Sequence, residues 1–315
     1  MDRRTFLALS AGFVACTSAT RAFPQSPSDA LAVVRTALNV PDANLDYLQA
    51  KLAFDAFIRP SVANDAEVPR TLDRLTAAAR ELAGTNAVDT RKLAAIRTVI
   101  YQRGVWNDDR PFAYDMRDPL GHDINNKLLA TYVRTRLGNC VSMPILFLIL
   151  ADRLGLNVGL ATAPHHVFVR YTGADGRAVN LETTSGGHPA RDVWYRENTP
   201  MTDLAISNGL YLRTLSRRES IATMAHTIGE FLMEAGRYAE VIDVAEVINL
   251  HAPRDVESIV LGGAAYGQMF SREFEDRYPT LESIPANLHA RYRELATMNA
   301  SLYAHAESLG WRPSE

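Results

Sequence analysis

Three short stretches carry residue types that could do nucleophilic chemistry. The first is Arg136-Leu137-Gly138-Asn139-Cys140-Val141-Ser142-Met143-Pro144. The second is Pro164-His165-His166-Val167-Phe168-Val169-Arg170, and the third Val179-Asn180-Leu181-Glu182-Thr183. A cysteine becomes a useful nucleophile as the thiolate, which an adjacent imidazole generates and a third polar group sustains by orienting that imidazole. Gly138 and Asn139 suit a loop, and Pro144 is tolerated only in the first turn of a following helix. Cys140 is therefore expected at or near a helix N-terminus, where unpaired N–H groups favour a thiolate. The backbone N–H of Cys140 is a candidate oxyanion donor, with Asn125, Asn126 and Asn139 as unranked side-chain donors.

The elements around these residues decide whether they can meet. Val141 to Leu154 is apolar on nearly all sides, through Ile145-Leu146-Phe147-Leu148-Ile149-Leu150, as a buried central helix is, and Gly155 sits where its C-terminal cap belongs. Three β-type runs follow, Val158 to Thr162, His166 to Thr172 and Ala178 to Thr183, the last two joined by the turn Gly173-Ala174-Asp175-Gly176. Alternation places His166, Phe168 and Arg170 on one face, and Asn180 and Glu182 together on one face of the partner strand. A register that sets His166 beside Glu182 or Asn180 completes a triad. With the register open, His165 is an alternative base and Asn180 an alternative orienter.

Upstream, helical stripes run through Leu31, Val34 and Leu38, then Leu48, Leu52 and Phe57, then Leu72, Leu75 and Leu82, then Leu93, Ile96, Val99 and Ile100. Trp106 to Pro111 and Pro119 to Gly121 read as loops. Past Met201 helices return, with Ala235-Gly236, Tyr238 and Pro253 spaced as in a tetratricopeptide unit, over little more than one repeat. The fold class expected is α+β, a buried helix on an antiparallel sheet with helical parts before and after it.

Composition narrows the function classes. The chain has 315 residues, 47% hydrophobic and 22% charged, with net charge −3 and pI near 6.3. That balance gives no support for a nucleic-acid partner. No CxxC, HxH or HExxH spacing gathers His122, His165, His166 and His188 with Cys140 into a metal site, so neither metal nor cofactor is expected. Phosphate-loop, dinucleotide and GxSxG signatures do not occur.

The N-terminus reads as a targeting segment. Asp2-Arg3-Arg4 precedes an apolar run from Phe6 to Ala15, too short to span a bilayer, and Ala22 ends a small-residue cleavage site. The paired arginines point to twin-arginine export to the periplasm or cell envelope. Loss of residues 1–22 would make the remainder only two charges more negative. Val14-Ala15-Cys16 is a partial lipobox, so lipidation of Cys16, with a membrane tether, is the second processing route. Of the two cysteines, Cys140 alone would remain in the processed chain. The expected domains are a signal peptide over 1–22, a core domain over 23–200 and a helical region over 201–315.

Gly-Asn-Cys at a helix start, the Pro-His-His-Val-Phe strand, and Asn-Leu-Glu-Thr-Thr followed by Gly186-Gly187 together resemble the transglutaminase-like superfamily. The resemblance runs roughly from Leu45 to Arg196, and the later helices are similar to the tetratricopeptide-like tail of one bacterial subgroup. It implies a papain-type core with Cys140 as nucleophile, His166 as general base and acid, and Glu182 as orienting residue. The acid is more often Asp in that family, and many relatives in the subgroup lack the Cys. The implied activity is cysteine hydrolase or acyltransferase chemistry on an amide bond of a peptide or protein, with proteolysis favoured over cross-linking. The rival class is a catalytically inactive fold that binds a peptide or protein partner, with Cys140 merely a buried small hydrophobe.

Overall fold

The structure is a computed structural model and describes residues 29–63 and 65–313. The targeting segment and its processing sites at Cys16 and Ala22 lie outside the described residues. The chain forms two compact units, one of residues 37–199 and 211–227, the other of residues up to 36, 200–210 and from 228 onward.

The first unit opens with helices. Helix α1 (Ala30–Leu38) runs into it, followed by α2 (Tyr47–Ile58), α3 (Glu67–Ala83) and α4 (Asp89–Tyr101). The expected stripes bury Val34, Leu38, Leu48, Phe57, Leu72, Leu75, Ile96, Val99 and Ile100. Leu82 departs from the pattern and is 48% exposed, because it lies in the last turn of α3, where the chain leaves the core at Gly84. Helix α2 also buries a charged pair, Lys51 and Asp55, 2.7 Å apart and fully inaccessible. Asp55 Oδ2 accepts the Leu129 N–H at 2.7 Å, capping α5 (Leu129–Thr135) from a distant helix.

Two short strands then pair in parallel, β1 (Ala113–Tyr114) with β2 (Leu137–Gly138). Helix α6 (Ser142–Arg153) follows, with every residue from Ser142 to Ala151 buried. Gly155, at φ +70°, ends it as expected. The antiparallel sheet has the order β3 (Val158–Ala163), β4 (His166–Thr172), β5 (Ala178–Glu182), β6 (His188–Ala190). Gly173 and Gly176 close the β4–β5 turn, with the Gly173 N–H bonded to Arg177 O at 2.9 Å. This buried helix on an antiparallel sheet is the α+β core expected. The fourth strand, β6, is additional. Its pattern His-Pro-Ala offers no apolar alternation, and pairing of Glu182 with His188 creates it.

Short helices α7 (Asp192–Asn198) and α8 (Asp203–Ser207) precede α9 (Arg217–Glu234), α10 (Tyr238–His251), α11 (Val256–Phe270) and α12 (His289–Ser308). Gly236, at φ +69°, makes the turn between α9 and α10. In the second unit, Phe270, Phe274, Ile284 and Leu295 form a core that Tyr266, Tyr278 and Tyr292 surround. Among the described residues no helix is long and apolar enough to cross a membrane.

Candidate active site

Cys140 stands two residues before the start of α6, in a turn that Asn139 organises. Asn139 Oδ1 accepts the Val141 and Ser142 N–H groups at 3.0 and 3.1 Å, and Ser142 Oγ accepts the Asn139 N–H at 3.2 Å. This reciprocal cap fixes the helix entry. Asn139 Nδ2 also donates to Asn126 O at 3.2 Å, while Asn126 Nδ2 is engaged by Asp118 at 2.7 Å. Asn125 bonds Asp123 and the Arg59 guanidinium. The amides of Asn125, Asn126 and Asn139, the candidate side-chain oxyanion donors, are thus engaged in loop hydrogen bonds.

The strands bring the other two residues to the thiol. Arg170 pairs with Asn180 and Val169 with Leu181, which sets Glu182 diagonally across from His166 on the same sheet face. His166 Nε2 meets Glu182 Oε2 at 2.7 Å. Nδ1 is the ring nitrogen that Glu182 does not engage, and Cys140 is near enough to the imidazole to contribute to raising its pKa. The thiol additionally lies 3.9 Å from the carbonyl oxygen of His165. His165 itself occupies the β3–β4 turn at φ +57° with its side chain exposed. Asn180 Nδ2 turns away, donating to Ala190 O at 3.2 Å and Asp192 Oδ1 at 2.6 Å. The geometry thus gathers Cys140, His166 and Glu182, and leaves the side chains of His165 and Asn180 outside.

Glu182 is the best-anchored group of the three. Thr184 donates its N–H and its hydroxyl to Oε1, at 3.0 and 2.6 Å, and the Tyr195 hydroxyl donates to Oε2 at 2.9 Å. With His166 this makes four donors on one carboxylate, all its acceptor sites. Burial alone would raise the Glu182 carboxyl, but the bond and charge of His166 and the two Thr184 bonds hold it below its ordinary value. Burial likewise disfavours a charged His166, yet hydrogen bonds to Cys140 and Glu182 and their negative charge win, raising it to about 9. An imidazole so placed is protonated at neutral pH.

Aromatic packing sets the imidazole plane. Phe168 and Tyr195 stack with centroids 4.2 Å apart, and the His166 ring lies 6.1 Å from the first and 5.9 Å from the second. Tyr114 is near enough that the charges of Cys140 and Glu182, after burial, raise its phenol above the ordinary value. Sequence reasoning missed Thr184, Tyr195 and Tyr114. Only Thr184, two residues beyond Glu182 as in an Asx-type turn, left a local signal. Among the described residues no group of three or more His, Cys, Asp or Glu side chains could hold a metal.

A family model described as the transglutaminase-like superfamily matches residues 66–224, half of the chain. The chain belongs to the transglutaminase-like superfamily. No curated protein and no solved structure was found to match it. The matched span of this transglutaminase-like chain contains β1 to β6, the buried helix α6 and all three candidate site residues.

Proposed function

We propose that this transglutaminase-like protein is a cysteine hydrolase or acyltransferase acting on amide bonds of a peptide or protein, with hydrolysis the favoured outcome. What supports the reading is the convergence of Cys140, His166 and Glu182, with His166 Nε2 bonded to Glu182 at 2.7 Å and the imidazole pKa raised to about 9. The Cys140 thiolate attacks the amide carbonyl, forming a C–S bond, and the backbone N–H of Cys140 faces the oxygen that becomes negative. Collapse of the tetrahedral adduct breaks the C–N bond, and His166 delivers its proton to the leaving amine. Water or an amine then attacks the thioester, giving up a proton to the neutral His166 and regenerating the thiolate. Glu182 keeps the imidazole in the tautomer that presents Nδ1 to sulfur.

The place of action proposed is the periplasm or cell envelope, on the strength of the twin arginine and apolar run before Ala22, with lipidation of Cys16 as the route to a membrane tether. The test is to incubate the protein with a mixed peptide library and follow cleavage and Cys140 acylation by mass spectrometry. Cleavage and a thioester at Cys140, both absent from Cys140→Ser, are expected. Equal behaviour of the two proteins would instead favour the inactive binding fold.

A further inference from the structure

Helix α3 carries Glu67, Arg70, Thr71 and Arg74 at spacings that place them on one stripe. Together with Asp108 and Arg136 they line a cleft of about 560 Å³. Arg136 is unusual for a cation. Its side chain is 9% exposed, and its guanidinium lies 4.3 Å above the Phe112 ring. Nη2 reaches Asp108 Oδ2 at only 3.5 Å, and Nη1 is buried with no hydrogen-bond partner. Asp108 is itself already engaged by both guanidinium nitrogens of Arg74, at 3.0 and 2.9 Å. Arg70 has no ion pair among the described residues. Three arginines thus face two acids, leaving one positive charge without a counter-charge.

The backbone is committed to this arrangement. Asp108 and Arg136 sit at φ +56° and +64°, a region that residues other than glycine occupy rarely. Arg136 does so at the end of α5, where a glycine would end the helix without strain.

We infer that this cleft binds one carboxylate group of an acidic peptide, gripped by Arg70, Arg74 and Arg136. The Arg74–Asp108 fork shows that a carboxylate fits the guanidinium geometry here, and a single carboxylate matches the single unbalanced charge. Burial and the charge of Arg74 both work against a protonated Arg136, and an arriving anion would reverse the second effect. Cys140 lies four residues beyond Arg136, a chain reach of about 14 Å. On the proposed function, the cleft would therefore select substrates with an acidic residue a few positions from the reacting amide. The binding claim itself needs no chemistry at Cys140.

The test titrates the full chain with acetyl-Ala-Glu-amide, at constant ionic strength, and follows the arginine Nε–H signals of Arg70, Arg74 and Arg136 by NMR. Acetyl-Ala-Gln-amide and dimethyl phosphate serve as comparisons. Saturating shifts with the Glu peptide, a response to the Gln peptide at least tenfold weaker, and about tenfold loss in Arg70→Gln are expected. Arg70 is exposed, so that variant keeps its fold; Arg136→Lys tests the buried fork separately and should also weaken binding. Equal responses to the Glu and Gln peptides, or an unchanged response in both variants, would overturn the proposal. Tighter binding of dimethyl phosphate would overturn the carboxylate in favour of a phosphodiester.

Discussion

Replacing Glu182 by Gln is a sharp perturbation because the carboxylate accepts four donors and the amide can accept at only one end. Thr184 N–H is a donor that cannot reverse, so the new carbonyl oxygen must take the Oε1 position and the NH₂ the Oε2 position. There the NH₂ faces the Tyr195 hydroxyl, which can rotate to accept, and His166 Nε2. Satisfying the amide forces Nε2 to be the unprotonated nitrogen, and the proton moves to Nδ1, facing Cys140. Imidazole in that tautomer cannot take a proton from the thiol. Two of the influences that raise His166, the bond and the charge of Glu182, vanish together, while burial continues to lower it. The His166 midpoint should fall from about 9 by at least about one pH unit, and stability by only about 1–3 kcal/mol because every group finds a partner. By analogy with other triads whose orienting acid became an amide, any amide-cleaving turnover should fall by on the order of 10³–10⁴-fold. Nitrogen-15 NMR of the imidazole reads tautomer and midpoint directly. A midpoint still near 9, with Nε2 protonated at neutral pH, would refute the assignment of Glu182 as the orienting residue.

The protein's stability should fall on the alkaline side through His166. Its folded value, about 9, is above the unfolded value of about 6.5, so its stabilisation is complete below pH 6.5 and lost as pH rises through 9, of the order of 3 kcal/mol. Urea melts between pH 6 and 10 should show that slope in the wild type and a flatter profile in His166→Gln. Glu182 works in the opposite sense, since a lowered carboxyl stabilises above its unfolded value of about 4.3 and loses that as the pH drops. Tyr195→Phe removes one buried donor to Glu182 and should cost about 1–2 kcal/mol in a thermal melt while leaving the fold intact. Lys51→Met strands Asp55, whose carboxyl burial already raises, and should cost about 3–5 kcal/mol; Lys51→Met with Asp55→Asn should recover much of that loss. Gly121→Ala brings a methyl to 2.5 Å from Asn139 Nδ2 at φ +67°, and should both lower the melting temperature and slow Cys140 alkylation by displacing the cap.

What could be read from residue order was what local periodicity encodes. Ile145 to Leu150 is apolar on every side, so α6 had to be buried, and Gly155 and Gly173–Gly176 mark chain reversals that need no partner to be seen. The pairing of His166 with Glu182 was visible only as a choice, because alternation fixes the face of each residue and not the register between strands. The β4–β5 register decides the matter, and Tyr195, which also bonds Glu182, reaches it from a separate short helix with no local signature. Strand β6 was invisible for the same reason, its His-Pro-Ala sequence being drawn into the sheet by Glu182 and its neighbours. The cleft at Arg136 depends on an α3 stripe meeting two left-handed residues far along the chain, and on Phe112 beneath the guanidinium. The loop hydrogen bonds made by the amides of Asn125, Asn126 and Asn139 have no local signature either.

The most direct test of the central claim is the rate at which iodoacetamide modifies Cys140 at pH 7 in the full chain and in His166→Ala, read on the Cys140 peptide by mass spectrometry so that Cys16 does not contribute. Placement of the His166 imidazole beside Cys140 predicts a wild-type rate at least about tenfold faster, since proton transfer to a placed imidazole is worth about 10²–10⁴-fold in such sites. Equal rates in the two proteins would mean that His166 does nothing for the thiol, and would contradict the account.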